Sequence, residues 1–197
     1  MDLFAKELKE NRKKEVGDGR LSQKHLQDLR DSGLTENIME KAGLVTVSPE
    51  AAQDYLGYPT GSSCLVFEYP ALDGDRYYRL KPEQPLAGED GDERKYLAPR
   101  NGGNRLYVPQ ILGHEFLTDD DQALIITEGE KKALKACQEG HEAVSLPGVW
   151  CWRTRTEDGA TGETRVLEDL DCITWDGRDV YIIYDSDAAK NPDVENA

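Results

Sequence analysis

The sequence of 197 residues is poor in basic side chains, with 24 Lys and Arg against 39 Asp and Glu and a formal net charge of -15. Proteins that bind nucleic acid usually present a basic surface, so this balance argues against strong non-specific DNA binding by the chain alone. It does not argue against a metal-dependent site for phosphates. The four cysteines show no C-x-x-C spacing, which disfavours a structural zinc site. Neither a signal peptide nor a membrane-length apolar run is seen, so we expect a cytoplasmic protein with free thiols.

A short apolar run at residues 123–127 leads directly into acidic residues and then into a helical pattern, in the stretch ALIITEGEKKALKAC. The run is too short and too β-branched for a buried helix, so it predicts a strand covered on both faces. Glu128 then stands at the carboxyl end of this strand. Gly129 permits a sharp turn, and residues 130–139 are predicted as a helix closed by Gly140.

A second apolar run, VYIIY at residues 180–184, predicts another strand covered on both faces, and it also ends in acidic residues, Asp185 and Asp187. Ligands of open α/β sheets bind at the carboxyl ends of the strands, so the two acidic strand ends predict one shared site. Crowded carboxylates repel one another, and a bound cation relieves that repulsion. Magnesium suits such a site because it takes one or two protein carboxylates and completes its shell with water and phosphate oxygens. Taken singly, each acidic strand end is equally compatible with simple exposure to solvent.

The N-terminal part reads as charged residues followed by short helices. Residues 1–20 are expected to form a frayed helix or a disordered lead-in. Three helices with their own capping residues are predicted at 23–31, 36–42 and 50–56. We expect them to form a small helical cap, in which His25 is a packing or surface residue and not a ligand.

An antiparallel β unit is predicted from residue 64 to about residue 109. The Asp73-Gly74 pair is a strong hairpin signal, and the acidic, Pro- and Gly-rich residues 82–92 predict a mobile loop. Residues 95–98 and 105–108 are expected to be joined by a Gly- and Asn-rich tip.

The β unit also holds most of the positive charge, in a set of seven side chains: Arg76, Arg79, Lys81, Arg94, Lys95, Arg100 and Arg105. One interpretation is that these residues face solvent and balance an acidic chain. The other is that they form a ridge for a phosphate backbone, with nearby tyrosines that stack on bases. Those tyrosines are Tyr77, Tyr78, Tyr96 and Tyr107.

Another strand is predicted at residues 143–146, after the central helix. Trp150 and Trp152 alternate with Cys151, so as a strand both would face the same way and pack on the core. The polar residues 154–164 predict a surface hairpin or loop, and residues 167–170 a helix or turn.

Three segments together resemble the TOPRIM domain, which topoisomerases, bacterial-type primases and OLD-type nucleases share. They are a Glu after an apolar strand (LIITEGEKKAL), a strand and turn (AVSLPG), and Asp-x-Asp after another strand (VYIIYDSDAA). Upstream, KYLAPRNGGNRLYVP is similar to the part of the bacterial primase core that precedes its TOPRIM domain. Three segments are most similar to the primase-like modules of plasmid and phage replication proteins, which are often found ahead of a helicase: SGLTENIMEKAGL, PGVWCW and WDGRDVYIIYDSDAAKNPDV.

The resemblance implies a metal site and a path for nucleic acid. Glu128, Asp185 and Asp187 are the implied catalytic residues and ligands of Mg²⁺ or Mn²⁺. Lys95, with Arg79 and Arg94, is implied to line the path of the template or nucleotide. Four further basic residues are predicted to join them as nucleic-acid or nucleotide contacts: Lys81, Arg100, Arg105 and Lys131. Primases usually have Gly between the two aspartates, where this chain has Ser186, so the backbone approach to a nucleotide differs here.

We therefore expect an α/β protein in which a TOPRIM-like, mainly parallel sheet flanked by helices occupies residues 111–197. A small helical and antiparallel β subdomain is expected at 21–110, and the TOPRIM-like domain is expected to be truncated at its C-terminal end. The implied function is metal-dependent primer synthesis on single-stranded DNA from nucleoside triphosphates, in replication of a plasmid, phage or other mobile element, with a helicase domain or protein as a partner. A TOPRIM nuclease and a catalytically silent binding or scaffold module are the alternatives.

Overall fold

A computed structural model of the chain describes residues 19–70, 72, 76–88, 91–113, 115–155 and 164–184. They form two compact units. The first unit comprises the described residues up to 31, 43–68 and 78–102, and the second comprises the rest. Within the described ranges no helix has the length and apolar character needed to cross a membrane.

The three predicted N-terminal helices are present as α1 (Gln23–Asp31), α2 (Glu36–Lys41) and α3 (Pro49–Leu56). The caps of α3 show why it forms there. The Ser48 side chain accepts a hydrogen bond from the Ala51 backbone N–H, and Pro49 occupies the first turn. Gly57 ends the helix in the left-handed conformation, with φ 78°.

The first unit is built on a three-stranded sheet in the order β1 (Val45–Val47), β2 (Cys64–Tyr69) and β3 (Tyr77–Pro82). Tyr69 and Tyr77, the end residues of β2 and β3, belong to the second unit. Strand β1 runs antiparallel to β2. A core of small and branched apolar residues packs α3 on this sheet: Val47, Ala52, Leu56, Cys64, Val66, Leu80 and Leu97. His25 is buried, and its Nδ1 lies 2.8 Å from Thr46 Oγ1, so its predicted packing role is confirmed.

Two details of the predicted β unit differ from the structure. The acidic loop at 82–92 contains a short strand, β4 (Leu86–Ala87), which pairs antiparallel with β5 (Glu93–Arg94). The segments 95–98 and 105–108 do not pair with each other, because Leu97 bridges to Leu80 whereas Tyr107 bridges to Ser145. The predicted Asp73-Gly74 turn lies outside the described residues.

The second unit is organised by a parallel sheet in the order β10-β6-β7. Its strands are β6 (Leu124–Glu128), β7 (Glu142–Leu146) and β10 (Val180–Ile183), and α4 (Glu130–Gln138) connects β6 to β7. Between β7 and β10 in sequence, β8 (Arg153–Arg155) pairs antiparallel with β9 (Thr164–Val166). The polar stretch 154–164 was predicted as a surface hairpin or loop, and its residues 156–163 lie outside the described residues. The prediction of a mixed α/β fold with a parallel sheet flanked by helices is confirmed.

The second unit has a cluster of buried apolar residues from its strands and connections: Leu106, Val108, Phe116, Leu117, Leu124, Ile126, Val144, Leu146, Leu167 and Ile173. Trp150 and Trp152 lie in a turn, and the predicted packing on the core is confirmed for Trp152. The prediction for the strand at 180–184 is wrong in one respect. Strand β10 is not covered on both faces, since the side chains of Tyr181, Ile182 and Ile183 are each more than half exposed.

Candidate active site at the carboxyl ends of the parallel strands

Glu128 is the last residue of the central strand β6, and its backbone is in register with Leu146 of β7. Gly129 follows with φ 82° and ψ 145°, a conformation that is open to glycine and strained for other residues. The Gly129 N–H donates to the Leu146 carbonyl at 2.9 Å, and α4 begins at the next residue. The chain therefore presents the Glu128 carboxylate at the carboxyl edge of the sheet.

The end of β10 lies beside Glu128. Ile183 is in register with Thr127 of β6, so Tyr184 and Glu128 are the next residues along two adjacent parallel strands. Burial raises the pKa of the Tyr184 hydroxyl, and the nearby negative charge of Glu128 raises it further. Asp185 and Asp187 lie outside the described residues.

Of the three predicted metal ligands, only Glu128 lies among the described residues, and its side chain has the chemistry of a cation ligand. Its side chain is half-buried and supplies carboxylate oxygens, which Mg²⁺ and Mn²⁺ accept, and Mg²⁺ needs only one or two protein carboxylates. Within the part of the chain that the structure describes, no three His, Cys, Asp or Glu side chains form a group that could hold a metal. Glu128 therefore fits as one ligand of a site that other groups would have to complete.

A buried carboxylate two residues beyond Glu128 was not anticipated. Glu130 is 1% exposed, and its Oε1 accepts a hydrogen bond from the Tyr69 hydroxyl at 2.7 Å. The Tyr69 ring packs against the rings of Tyr77 and Tyr107, with centroids 5.0 Å apart in both pairs. Burial and the charge of Glu130 raise the pKa of Tyr107 well above its usual value.

This tyrosine cluster corrects the base-stacking hypothesis for two residues. Tyr77 and Tyr107 are buried in the protein, so their rings cannot stack on bases. Tyr78 packs edge-on against Tyr55, with ring centroids 4.7 Å apart. Tyr96 is half-buried and has cationic side chains over its ring.

Two of the predicted basic residues meet at Tyr96 in the first unit. The Arg79 guanidinium carbon lies 4.8 Å from the centre of the Tyr96 ring, and Lys81 Nζ lies 5.8 Å from it. Lys81 also forms an ion pair of 2.6 Å with Asp28. Cation–π contacts of this kind hold the basic side chains close to an aromatic face.

Arg94, Lys95 and Arg100 are exposed in the same unit. Burial raises the pKa of Tyr58, and the positive charges of Arg94 and Arg100 oppose that rise. The first unit therefore carries five of the seven predicted template contacts.

The remaining two, Arg105 and Lys131, belong to the second unit. Arg105 has a structural partner, because its guanidinium donates to the buried Asp169 carboxylate at 3.1 Å. The other Asp169 oxygen accepts from the Leu106 N–H at 2.8 Å. Lys131 lines a cavity of about 700 Å³ beside α4, together with Lys132 and Lys135, so one wall of that cavity is cationic.

Comparison with known proteins adds to this geometry. A family model described as a domain of unknown function, DUF3854, matches residues 114–197. A solved structure of the DnaG primase catalytic domain bound to ssDNA is similar, with 17% identity and a TM-score of 0.51, over 85% of this chain and 57% of that chain. A structure of the DnaG catalytic core has 18% identity and a TM-score of 0.46, over 66% of this chain and 48% of that chain. None of the curated proteins matches.

These findings establish a fold. The chain has the mixed α/β fold of the DnaG primase catalytic domain bound to ssDNA. It spans about half the length of the solved chains that it matches. At this identity the likeness is one of fold, and it assigns no activity to individual residues.

Proposed function

We propose that this chain is a primase-type TOPRIM protein that uses Mg²⁺ or Mn²⁺ for nucleotidyl transfer in DNA replication. The observation that carries the proposal is the position of Glu128 at the carboxyl end of the central parallel strand, with the end of β10 beside it. Asp185 follows directly in the sequence after Tyr184, the residue beside Glu128. We assign Glu128, Asp185 and Asp187 to one metal site.

The three carboxylates would hold the cation at the edge of the sheet that faces substrate. When bound, the metal would screen the triphosphate and stabilise the negative charge that develops during attack by a 3′ hydroxyl. Glu128 would contribute a ligand whose direction is set by the strand before it and the Gly129 turn after it. We expect weak metal binding by the free protein and tighter binding with a nucleoside triphosphate, since neither partner alone completes an octahedral shell.

Single-stranded DNA is the proposed template, and the first unit the proposed surface for it. The arrangement of Arg79 over Tyr96, with Arg94, Lys95 and Arg100 exposed in the same unit, supports this assignment. Aromatic rings that stack on bases and cations that track phosphates are the usual components of such surfaces. A replicative context in a plasmid, phage or other mobile element, with a helicase domain or protein as partner, is part of the same proposal.

The first test is metal binding. Manganese affinity is measured by titration with detection of free Mn²⁺ by electron paramagnetic resonance, for the native chain, Glu128→Gln and Asp185→Asn/Asp187→Asn. Glu139→Gln is the matched control, because Glu139 is an exposed carboxylate on the same connection and pairs with Lys135. We expect the first two variants to lose Mn²⁺ affinity and the control to keep it. Equal affinity in all four proteins would refute the metal site.

The second test is chemistry on single-stranded templates with Mn²⁺ and ribonucleotides. A net charge of -15 repels DNA at long range, so we expect feeble template binding and low primer yield from this chain. Any product should disappear in Glu128→Gln and persist in Glu139→Gln. Cleavage of the template in place of primer synthesis would favour a nuclease, and Mn²⁺ binding without Glu128-dependent chemistry would favour the scaffold alternative.

A further inference from the structure

The turn after Glu128 is held at its second end, Glu130, by a buried hydrogen bond from Tyr69, a residue distant in the sequence. Tyr69 ends β2, is 2% exposed, and donates from its hydroxyl to Glu130 Oε1 at 2.7 Å. Glu130 is the first residue of α4 and lies two residues after Glu128. A carboxylate is rarely so deeply buried, and this one sits where the chain leaves the predicted site.

Tyr69 is linked to the parallel sheet through Tyr107. Its ring packs against Tyr107, and the Tyr107 backbone exchanges two hydrogen bonds with Ser145 of β7, at 2.8 and 3.0 Å. The next residue of β7, Leu146, accepts the Gly129 N–H. The segment from Glu128 to Glu130 is thus tied to β7 at Gly129 directly and at Glu130 through the tyrosines.

These ties matter because the residue between the two glutamates is glycine. Gly129 has a wide range of backbone conformations, and an added Cβ would meet nothing within 4 Å, so local packing does not restrict it. If the Glu130 end were released, the backbone could rotate at Gly129, and the strand end that carries Glu128 would be held by its hydrogen bonds to β7 alone. A buried anchor at Glu130 removes that freedom.

We propose that Tyr69 and Glu130 are positioning residues, which orient Glu128 toward the bound metal without contacting it. The inference rests on the proposed function, since it assumes that Glu128 is a metal ligand. It assigns to Glu130 a role that depends on its hydrogen bond to Tyr69.

The test compares Mn²⁺ affinity in Tyr69→Phe and Tyr77→Phe. The second variant is a matched control, because Tyr77 belongs to the same cluster but donates to the Gly103 carbonyl and not to Glu130. We expect Tyr69→Phe to bind Mn²⁺ about tenfold more weakly, the lower end of the effect of losing an outer-shell partner. Tyr77→Phe should bind as the native chain does. Thermal melts establish that the titrated proteins are folded, and a purely structural role would lower melting temperature without changing affinity.

Glu130→Gln removes the negative charge of residue 130 but keeps its hydrogen bond to Tyr69, so it separates the effect of the hydrogen bond from that of the charge. It also provides a test if Tyr69→Phe fails to fold. The Gln amide oxygen still accepts the Tyr69 hydroxyl, so we expect Mn²⁺ affinity within about twofold of native. A tenfold loss in Glu130→Gln, or native affinity in Tyr69→Phe, would overturn the positioning role while leaving the metal site intact. If native Mn²⁺ binding does not depend on Glu128, the proposed function fails, and the positioning role fails with it.

Discussion

Replacement of Arg178 by Met tests how the parallel sheet is held at the end opposite Glu128. The Arg178 side chain is fully buried, and its Nη2 lies 2.7 Å from Glu142 Oε2. Its Nε donates to the Gln122 carbonyl at 2.8 Å. Arg178 precedes β10, Glu142 begins β7 and Gln122 precedes β6, so one guanidinium ties the amino ends of all three strands.

The expected loss of stability follows from these contacts. Methionine keeps much of the apolar volume but removes the charge and all the donors, leaving Glu142 without this cation. Breaking a buried ion pair by removing one partner costs about 3–5 kcal/mol. Because the Glu142 side chain is 22% exposed and water can partly solvate it, we expect the lower end of that range. A loss of about 3 kcal/mol lowers the melting temperature of a protein of this size by roughly 6–12 °C.

The loss should also depend on pH. Burial raises the pKa of Glu142 and the Arg178 charge opposes the rise, so the variant should show a still higher pKa. A carboxyl group with a raised pKa in the folded state takes up its proton at a higher pH than in the unfolded state. Its unfavourable contribution is therefore greatest at neutral pH and is relieved as the pH falls. The difference in stability between native and variant proteins should shrink between pH 7 and pH 5.

Calorimetric melts at both pH values measure these effects, with Arg165→Met as the control. Arg165 pairs with Glu168 at 2.6 Å, but the two side chains are 51% and 67% exposed. Such surface pairs contribute about 0–1 kcal/mol, so the control should melt close to the native protein. If Arg178→Met is no less stable than Arg165→Met, or if its deficit is the same at both pH values, Arg178 is not the partner of a desolvated charge.

Three further predictions concern other parts of the chain. Burial lowers the pKa of His25 below its ordinary value of 6.5, so the unfolded state binds the proton more readily than the folded state. The free energy of unfolding should therefore fall as the pH drops from 7 to 5.5, and thermal melts of His25→Asn should show a weaker dependence on pH. Gly129→Ala should lose about 1–3 kcal/mol in denaturant unfolding, because its φ of 82° and ψ of 145° strain a residue with a Cβ, and an unchanged midpoint would argue against this turn. Arg79→Gln should weaken binding of single-stranded DNA and lower the salt dependence by about one phosphate contact in fluorescence anisotropy, whereas Arg165→Gln should not.

The elements nearest the proposed site were predicted from the sequence because their signals are local. The strand predicted at 123–127 is observed as Leu124–Glu128, and the helix predicted at 130–139 as Glu130–Gln138. Gly140, predicted to close this helix, has φ 90°. In each case the signal lies within a few residues of the element, in an apolar run, a turn glycine or a capping residue.

The features that the sequence did not reveal depend on contacts between distant residues. In the sequence, Tyr77 and Tyr107 are tyrosines near basic residues, which is typical of a surface that stacks on bases. Their burial becomes evident only from their ring contacts with Tyr69 in the structure. Glu130 reads as an ordinary exposed residue of an amphipathic helix, since its partner Tyr69 lies 61 residues away. Arg105 likewise reads as a surface cation until Asp169, 64 residues later, is placed beside it.

The two ends of the parallel sheet should therefore respond differently to mutation. Arg178 ties the amino ends of the strands, far along each strand from Glu128, so its loss should lower stability while the protein that remains folded keeps its Mn²⁺ affinity. Tyr69 acts at the carboxyl end, next to the glycine that follows Glu128, so its loss should lower Mn²⁺ affinity even at temperatures where the protein is fully folded. Measuring both quantities for both variants separates the two roles. Equal loss of affinity in Arg178→Met and Tyr69→Phe would mean that Glu128 responds to the stability of the whole sheet and not to the local turn.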